Sequence, residues 1–316
     1  MNRRMFFLSG ASAFAVAHSS QSVSAQQMEK TARMPQTFIH YIEADGVRLF
    51  YRESGAPSAP VILFLHGFPA SSFQYRELLA LLAGRSRVIA PDFPGFGFTE
   101  VPEERRYEYT FEALTNTTIA FAEVLGLKRY AMYLFDYGAP VGFRMALVHP
   151  ERVTAIISQN GNVYEEGLGP TWATIRRYWN DPSAANRQAL QPIFTAEAIR
   201  HQYVDGTEQP EAVAPEGYTL DSALIERRGN KDIQADLFLD YQNNVRLYPK
   251  FQQYLRTSKP RLLAIWGKND QHFIPAGAEA FRRDLPSVKI QLLDTGHFAT
   301  ATHSYEIAAS ISAFLQ

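Results

Sequence analysis

The sequence predicts an α/β fold: a mostly parallel sheet with helices on both faces and one inserted stretch of helices. Three observations predict it. Short apolar runs bounded by turn residues alternate with segments of helical periodicity, the pattern of parallel strands joined by crossover helices. From Tyr164 to about Lys250 the strand pattern stops and helical segments follow one another, and the alternation resumes at Leu262. The composition, 46% hydrophobic and 20% charged over 316 residues, suits a buried core and excludes disorder, coiled coil and collagen-like repeats.

The first 25 residues stand apart from this pattern. Arg3 and Arg4 precede Met5-Phe6-Phe7-Leu8 and an apolar run to Ala17, too short to span a bilayer. Val23-Ser24-Ala25 then offers a small-x-small cleavage pattern. Paired arginines ahead of such a run resemble a twin-arginine export signal, with an ordinary secretory signal as the alternative. The expected location is therefore periplasmic or secreted, without stable membrane insertion.

The remaining elements follow in order. Thr37–Ile42 and Val47–Glu53 read as two strands joined by Asp-Gly turn chemistry at Ala44-Asp45-Gly46. Val61–Leu65 is a continuous apolar run, as a strand buried on both faces should be. Ser71-Ser72-Phe73-Gln74 offers a capping box for a helix to about Ala83, and Arg87–Pro91 is a further strand. Thr110 to Leu125 reads as a helix closed by Gly126. Tyr130–Phe135, a helix over Gly138–His149, and Val153–Ser158 complete the first half. After the insertion come Leu262–Trp266, a helix around Ala276–Arg283, the strand Val288–Leu293 and a helix over His303–Leu315. The expected domains are thus 1–25 as export signal, 36–163 with 251–316 as core, and 164–250 as a helical lid.

Composition also bounds function. With 31 Lys+Arg against 32 Asp+Glu the net charge is −1, and no basic stripe is present to hold a phosphate backbone, so nucleic-acid binding is not expected. Cysteine is absent, which removes disulfides, thiolate zinc sites and cysteine nucleophiles. No metal and no cofactor is called for.

Chemistry-bearing residues collect at strand ends, where open α/β sheets place their sites. Leu134-Phe135-Asp136-Tyr137-Gly138 passes straight from strand to helix and has the form of a nucleophile elbow with Asp136 at its tip. Helix N-capping is the alternative role for such an aspartate. Gly267-Lys268-Asn269-Asp270 puts an acid past the next-to-last strand, and Gly296-His297-Phe298 a histidine past the last. His272 is a rival base on the wrong turn. His66-Gly67-Phe68-Pro69 follows the strand Val61–Leu65, with His66 as a loop-ordering residue, and Asp92-Phe93-Pro94-Gly95-Phe96-Gly97 is a tight turn.

These four segments together resemble the epoxide hydrolase and haloalkane dehalogenase branch of the α/β-hydrolases, over about residues 37 to 316. The resemblance implies an α/β-hydrolase fold with Asp136 as nucleophile, His297 as base, Asp270 orienting His297, and the backbone N–H groups of Phe68 and Tyr137 as oxyanion hole. Two departures stand out. Both subfamilies usually carry Trp after the nucleophile, where this chain has Tyr137. Haloalkane dehalogenases commonly have Asn or Glu after His-Gly, where this chain has Phe68.

A carboxylate nucleophile displaces a leaving group from saturated carbon and becomes an alkyl ester, which His297 would then hydrolyse with an activated water. The expected substrate is a small, apolar to moderately polar epoxide, opened to a diol. A haloalkane or haloacid is the alternative, and a non-catalytic small-molecule receptor a second one. By resemblance the lid supplies the leaving-group acid, Tyr241 with Tyr178 as a second. The best alignment instead puts Ile175 at the early-lid tyrosine position, in which case Trp172 or Trp179 could serve a halide. Oligomeric state is not readable.

Overall fold

A computed structural model describes residues 35–316, so the expected leader lies outside the described residues. Eight strands form one sheet in the order β1-β2-β4-β3-β5-β6-β7-β8. They are β1 (Thr37–Ala44), β2 (Val47–Ser54), β3 (Val61–Leu65), β4 (Arg87–Pro91), β5 (Tyr130–Phe135), β6 (Val153–Gln159), β7 (Leu262–Gly267) and β8 (Lys289–Leu293). β1 and β2 are antiparallel, as is β2 to β4, and all later pairs are parallel. In the β1–β2 turn Asp45 and Gly46 both have positive φ, 53° and 68°, as a two-residue type I′ hairpin requires.

Side-chain alternation along the central strands divides the core in two. Leu63, Leu65, Met132, Leu134 and Ile156 join one hydrophobic cluster, while Ile62, Phe64, Ala131, Tyr133 and Ile157 join the other. Helices α2 (Phe111–Val124), α3 (Gly138–Val148) and α9 (Ala276–Asp284) supply the first cluster; α1 (Arg76–Leu82) and α10 (Ser304–Leu315) supply the second. Both faces are covered, which is why the central strands β3 and β5 are apolar throughout.

Local signals are met with one exception. Thr110 caps α2 by accepting from the Ala113 amide at 3.1 Å, and Gly126 follows its end with φ 68°. The expected capping box at Ser71 is only half made. Ser71 Oγ accepts from the Phe73 amide at 3.4 Å and starts a 3₁₀ turn, Ser72–Tyr75, ahead of α1. Gln74 is buried and its side-chain amide has no hydrogen-bond partner among the described residues, so the reciprocal bond is missing.

The insertion carries α4 (Ala173–Asn180), α5 (Ala184–Gln188), α6 (Ala196–Val204), α7 (Pro215–Ile225) and α8 (Asn230–Ser258). α8 does not stop near residue 250. It runs 29 residues, through the expected boundary, because it is tied to the core along its length. Asp240 accepts from the first amide of α2 (2.7 Å), Asn244 from Arg144 of α3, and Gln252 donates to Val163 O (3.1 Å). Among the described residues no helix is long and apolar enough to cross a membrane.

Candidate active site

Asp136 ends β5 with φ 49°, a left-handed conformation that costs a residue with a side chain and that persists where surroundings enforce it. α3 starts only two residues later. At its first position, Gly138, any side chain would run into the Leu65 carbonyl of β3. The sharp turn directs the carboxylate beyond the strand end. Asp136 Oδ1 accepts from its neighbour's amide, Tyr137 N, at 2.6 Å and from Phe68 N at 2.7 Å. β3 and β5 are paired, so their exit loops face each other, and Gly67 leaves room where a side chain would strike the Asp136 carboxylate. The N-cap position of α3 belongs to Tyr137, so the capping alternative for Asp136 is not realised.

The other oxygen, Asp136 Oδ2, lies 3.8 Å from His297 Nε2. His297 Nδ1 is 2.8 Å from Asp270 Oδ2. With Asp270 ionised, the proton sits on Nδ1 and Nε2 faces the Asp136 carboxylate. Asp270 is held by two further donors: Asn160 Nδ2 to Oδ2 at 2.6 Å and the His272 amide to Oδ1 at 2.7 Å. Asn160 in turn accepts at Oδ1 from Gly267 N (3.0 Å) and Gln159 Nε2 (2.6 Å), while Gln159 Nε2 also reaches His297 O at 3.0 Å.

This burial sets the protonation states. Burial raises the Asp136 pKa to about 6, more than His297 and the two amides can offset. Burial acts the same way on Asp270, but there the neighbouring His297 outweighs it and the net shift is downward. For His297 burial works downward, and Asp270 with Asp136 overcomes it to give a raised pKa. At neutral pH the arrangement therefore provides two ionised carboxylates, Asp136 and Asp270, flanking a histidine whose protonated form both of them favour.

A cavity of 560 Å³ opens onto Asp136, Asp270 and His297. Its lining combines apolar side chains, Phe68, Tyr137, Trp172, Ile175, Ile193 and Phe238, with polar ones, among them Thr171, Gln202, Gln271 and His272. No lysine or arginine is among the lining residues. Nor do the described residues contain a group of three or more His, Asp or Glu arranged to hold a metal ion.

The lid residues singled out by resemblance are placed differently from the strand-end groups. Tyr241 is fully buried directly behind the wall, its ring 4.5 Å from that of Trp172 and 5.7 Å from that of Tyr137. Its hydroxyl pairs with that of Tyr248 at 3.2 Å. Tyr178 is outside the cavity lining, and its hydroxyl accepts from Arg187 Nη1 at 3.1 Å, an arginine that also bridges Asp232 and Asp236 of α8. Ile175, one turn earlier on α4, is the residue that lines the cavity. All three tryptophans have committed indole N–H groups: Trp172 to His272 O (3.0 Å), Trp179 to Phe238 O (2.7 Å) and Trp266 to Phe273 O (2.6 Å).

His66 and Asp92 are structural. His66 Nε2 accepts from the Phe93 amide at 2.9 Å, and burial lowers its pKa to about 4, so it stays neutral. Asp92 accepts from Ser72 N and Phe98 N at 2.7 and 2.8 Å and closes its turn. Sequence reasoning missed Asn160 and the Tyr137 side chain. Asn160 carried a usable signal: Gln159-Asn160-Gly161-Asn162 is a polar cluster at the end of an apolar strand, and β6 lies between the strands that carry Asp136 and Asp270. Tyr137 borders the cavity with a buried hydroxyl that has no protein partner.

The family profile described as alpha/beta hydrolase fold matches residues 60–304, and the chain belongs to that family. It is a hydrolase. It is 48% identical over 277 residues to the uncharacterized hydrolase YNR064C of Saccharomyces cerevisiae, covering 84% of this chain and 93% of that protein. It is 28% identical to haloalkane dehalogenase 2 of Mycobacterium bovis over 278 residues, 84% of this chain and 90% of that one. Among solved structures, potato (Solanum tuberosum) epoxide hydrolase I superposes with a TM-score of 0.70 at 19% identity, over 89% of this chain and 99% of that chain.

Proposed function

We propose that the protein hydrolyses a small neutral epoxide through an alkyl ester of Asp136. One observation carries this reading: Asp136 presents Oδ2 to His297 while Oδ1 rests on two backbone amides. Oδ2 attacks an epoxide carbon, the C–O bond breaks, and the oxygen leaves with the electron pair and takes a proton from a phenol. Water then attacks Cγ of Asp136 and gives a proton to His297 Nε2. The negative charge develops on Oδ1, where the Phe68 and Tyr137 amides already point. Collapse breaks the Cγ–Oδ2 bond, His297 returns its proton to Oδ2 as the diol leaves, and the hydrogen remaining on the Asp136 carboxyl passes to the phenolate, so each group regains its starting state.

Tyr241 is the phenol assigned to the leaving oxygen, a role that requires the Trp172–Tyr137 wall in front of it to shift when substrate binds. Tyr241 and Tyr248 share a hydrogen bond in which either hydroxyl can donate, and the proposed role takes Tyr248 as the donor, which leaves the Tyr241 proton free. Halide departure would instead need N–H donors, and the three indoles are taken. A haloacid would bring a carboxylate into a cavity without a lining cation. Export from the cytoplasm by the leader at residues 1–25 belongs to the same proposal.

Two measurements test it. His297→Gln should accumulate a mass adduct on the peptide containing Asp136 when given an epoxide. A single turnover of the unaltered protein in oxygen-18 water should label Asp136 and not the diol, because Oδ2 departs with the product. Label in the diol, with no adduct, would overturn the covalent route.

A further inference from the structure

His272 lies in the loop between β7 and α9, and its backbone is held from three sides. Its amide donates to Asp270 Oδ1 at 2.7 Å, and its carbonyl accepts from Gly169 N at 2.8 Å and from Trp172 Nε1 at 3.0 Å. The imidazole lines the cavity next to His297, with 5.1 Å between ring centres and 64° between planes. Its Nδ1 is 3.1 Å from Thr171 Oγ1. The Thr171 hydroxyl has a single hydrogen, and that is directed to the Gln271 carbonyl at 3.2 Å. With the Thr171 hydrogen on that carbonyl, Nδ1 of His272 carries the hydrogen in the contact, and the role proposed below takes this tautomer. In that tautomer Nε2 is left with its lone pair, and the one ring hydrogen bond of His272 among the described residues is at Nδ1. Burial and the adjacent His297 lower the pKa of His272 to about 4, so the ring stays neutral while His297 gains and loses its proton.

We propose that His272 is a positioning residue for the second half-reaction, accepting a hydrogen bond at Nε2 from the water that attacks the Asp136 ester. This rests on the alkyl-ester reading above. A water has two hydrogens. His297 Nε2 takes one as the oxygen bonds to Cγ. The other stays on that oxygen during the attack, and no proton passes to His272. A water held by two acceptors presents its lone pair to the carbonyl carbon; held by one alone it can rotate away. Two imidazoles this close can share one water.

The test separates the two half-reactions with styrene oxide as probe, following adduct formation and adduct decay by rapid quench and intact mass. His272→Phe keeps a ring and the backbone bonds but removes the acceptor, and His272→Gln keeps an acceptor. In the Phe variant adduct formation should stay within about twofold, while decay slows about tenfold, the effect of one lost hydrogen bond. Ester should accumulate at steady state, with kcat and KM falling together, and Gln should recover part of the decay rate. Unchanged decay, or equal slowing of both steps, overturns the proposal. His297→Gln run in parallel distinguishes the two failures. An adduct there, with decay indifferent to His272, overturns only the role of His272, whereas no adduct overturns the ester reading and this role with it.

Discussion

The strand ends and the lid build the site by different means. At the strand ends the backbone does the placing: a left-handed residue at 136, paired strands β3 and β5, and amide nitrogens at 2.6 and 2.7 Å fix the Asp136 carboxylate. In the lid, side chains are placed by what they pack on. Tyr178 answers to Arg187, Tyr241 to Tyr248, and the lid indoles to backbone carbonyls. A strand-end group can therefore be exchanged with little change in the surroundings, whereas a lid group cannot be moved without its neighbours. Chemistry that must be exact sits on the first kind of support, and the second shapes the room around it.

The largest effect should come from the strand-end side. Asp136→Ala should lower turnover at least about 10⁴-fold while circular dichroism and melting stay near those of the parent protein, because the elbow is held by backbone geometry. A parent-like rate in a verified Asp136→Ala protein would break the comparison at its centre. Tyr241→Phe should slow adduct formation on epoxides by about 10²–10⁴-fold, the range of general-acid help. Tyr137→Phe is the control. If Tyr137→Phe carries the larger loss, its unpartnered hydroxyl is the acid and Tyr241 is packing. Asn160→Ala removes one of the donors on Asp270, and should cost about 10–100-fold in the hydrolytic step from a bond to a charged group worth about 1.5–3 kcal/mol. The smallest and most graded effect is that of pH. Asp136 attacks only as carboxylate, so adduct formation should fall about tenfold per unit as pH drops below about 6. The decay of the ester needs neutral His297 and should lose rate at higher pH than that, since the His297 pKa is raised above its ordinary 6.5. A shared midpoint for both steps would contradict the split.

Much of the core was legible because its rules are local. Apolar runs gave the strands, and the residue following each strand end could be counted off, which is how Asp136, Asp270 and His297 came to be singled out. Asn160 was overlooked because its role depends on strand order: β6 stands between β5 and β7 only after the sheet is assembled. The Ser71 box misled because Gln74 is turned inward, and burial decided its direction where local pairing suggested another. The lid resisted reading for a different reason. Ile175 and Tyr178 are one turn apart on α4, and which of them meets the cavity is set by how that helix lies against α8. No pattern within the helix contains that information.

The long helix α8 has a mechanical consequence. At 1.5 Å per residue its 29 residues form a beam about 44 Å long, clamped at Asp240, Asn244, Gln252 and Arg256, the last to Asp284 of α9. A roof timber built into the wall does not swing. Passage of a substrate is therefore expected at the short helices α4 and α5, which hang from α8 through Trp179 and Arg187. Amide hydrogen exchange should then be slow along α8, near the rate of global unfolding, and faster along α4 and α5, with Phe238 and Tyr241 as fixed furniture past which those helices open.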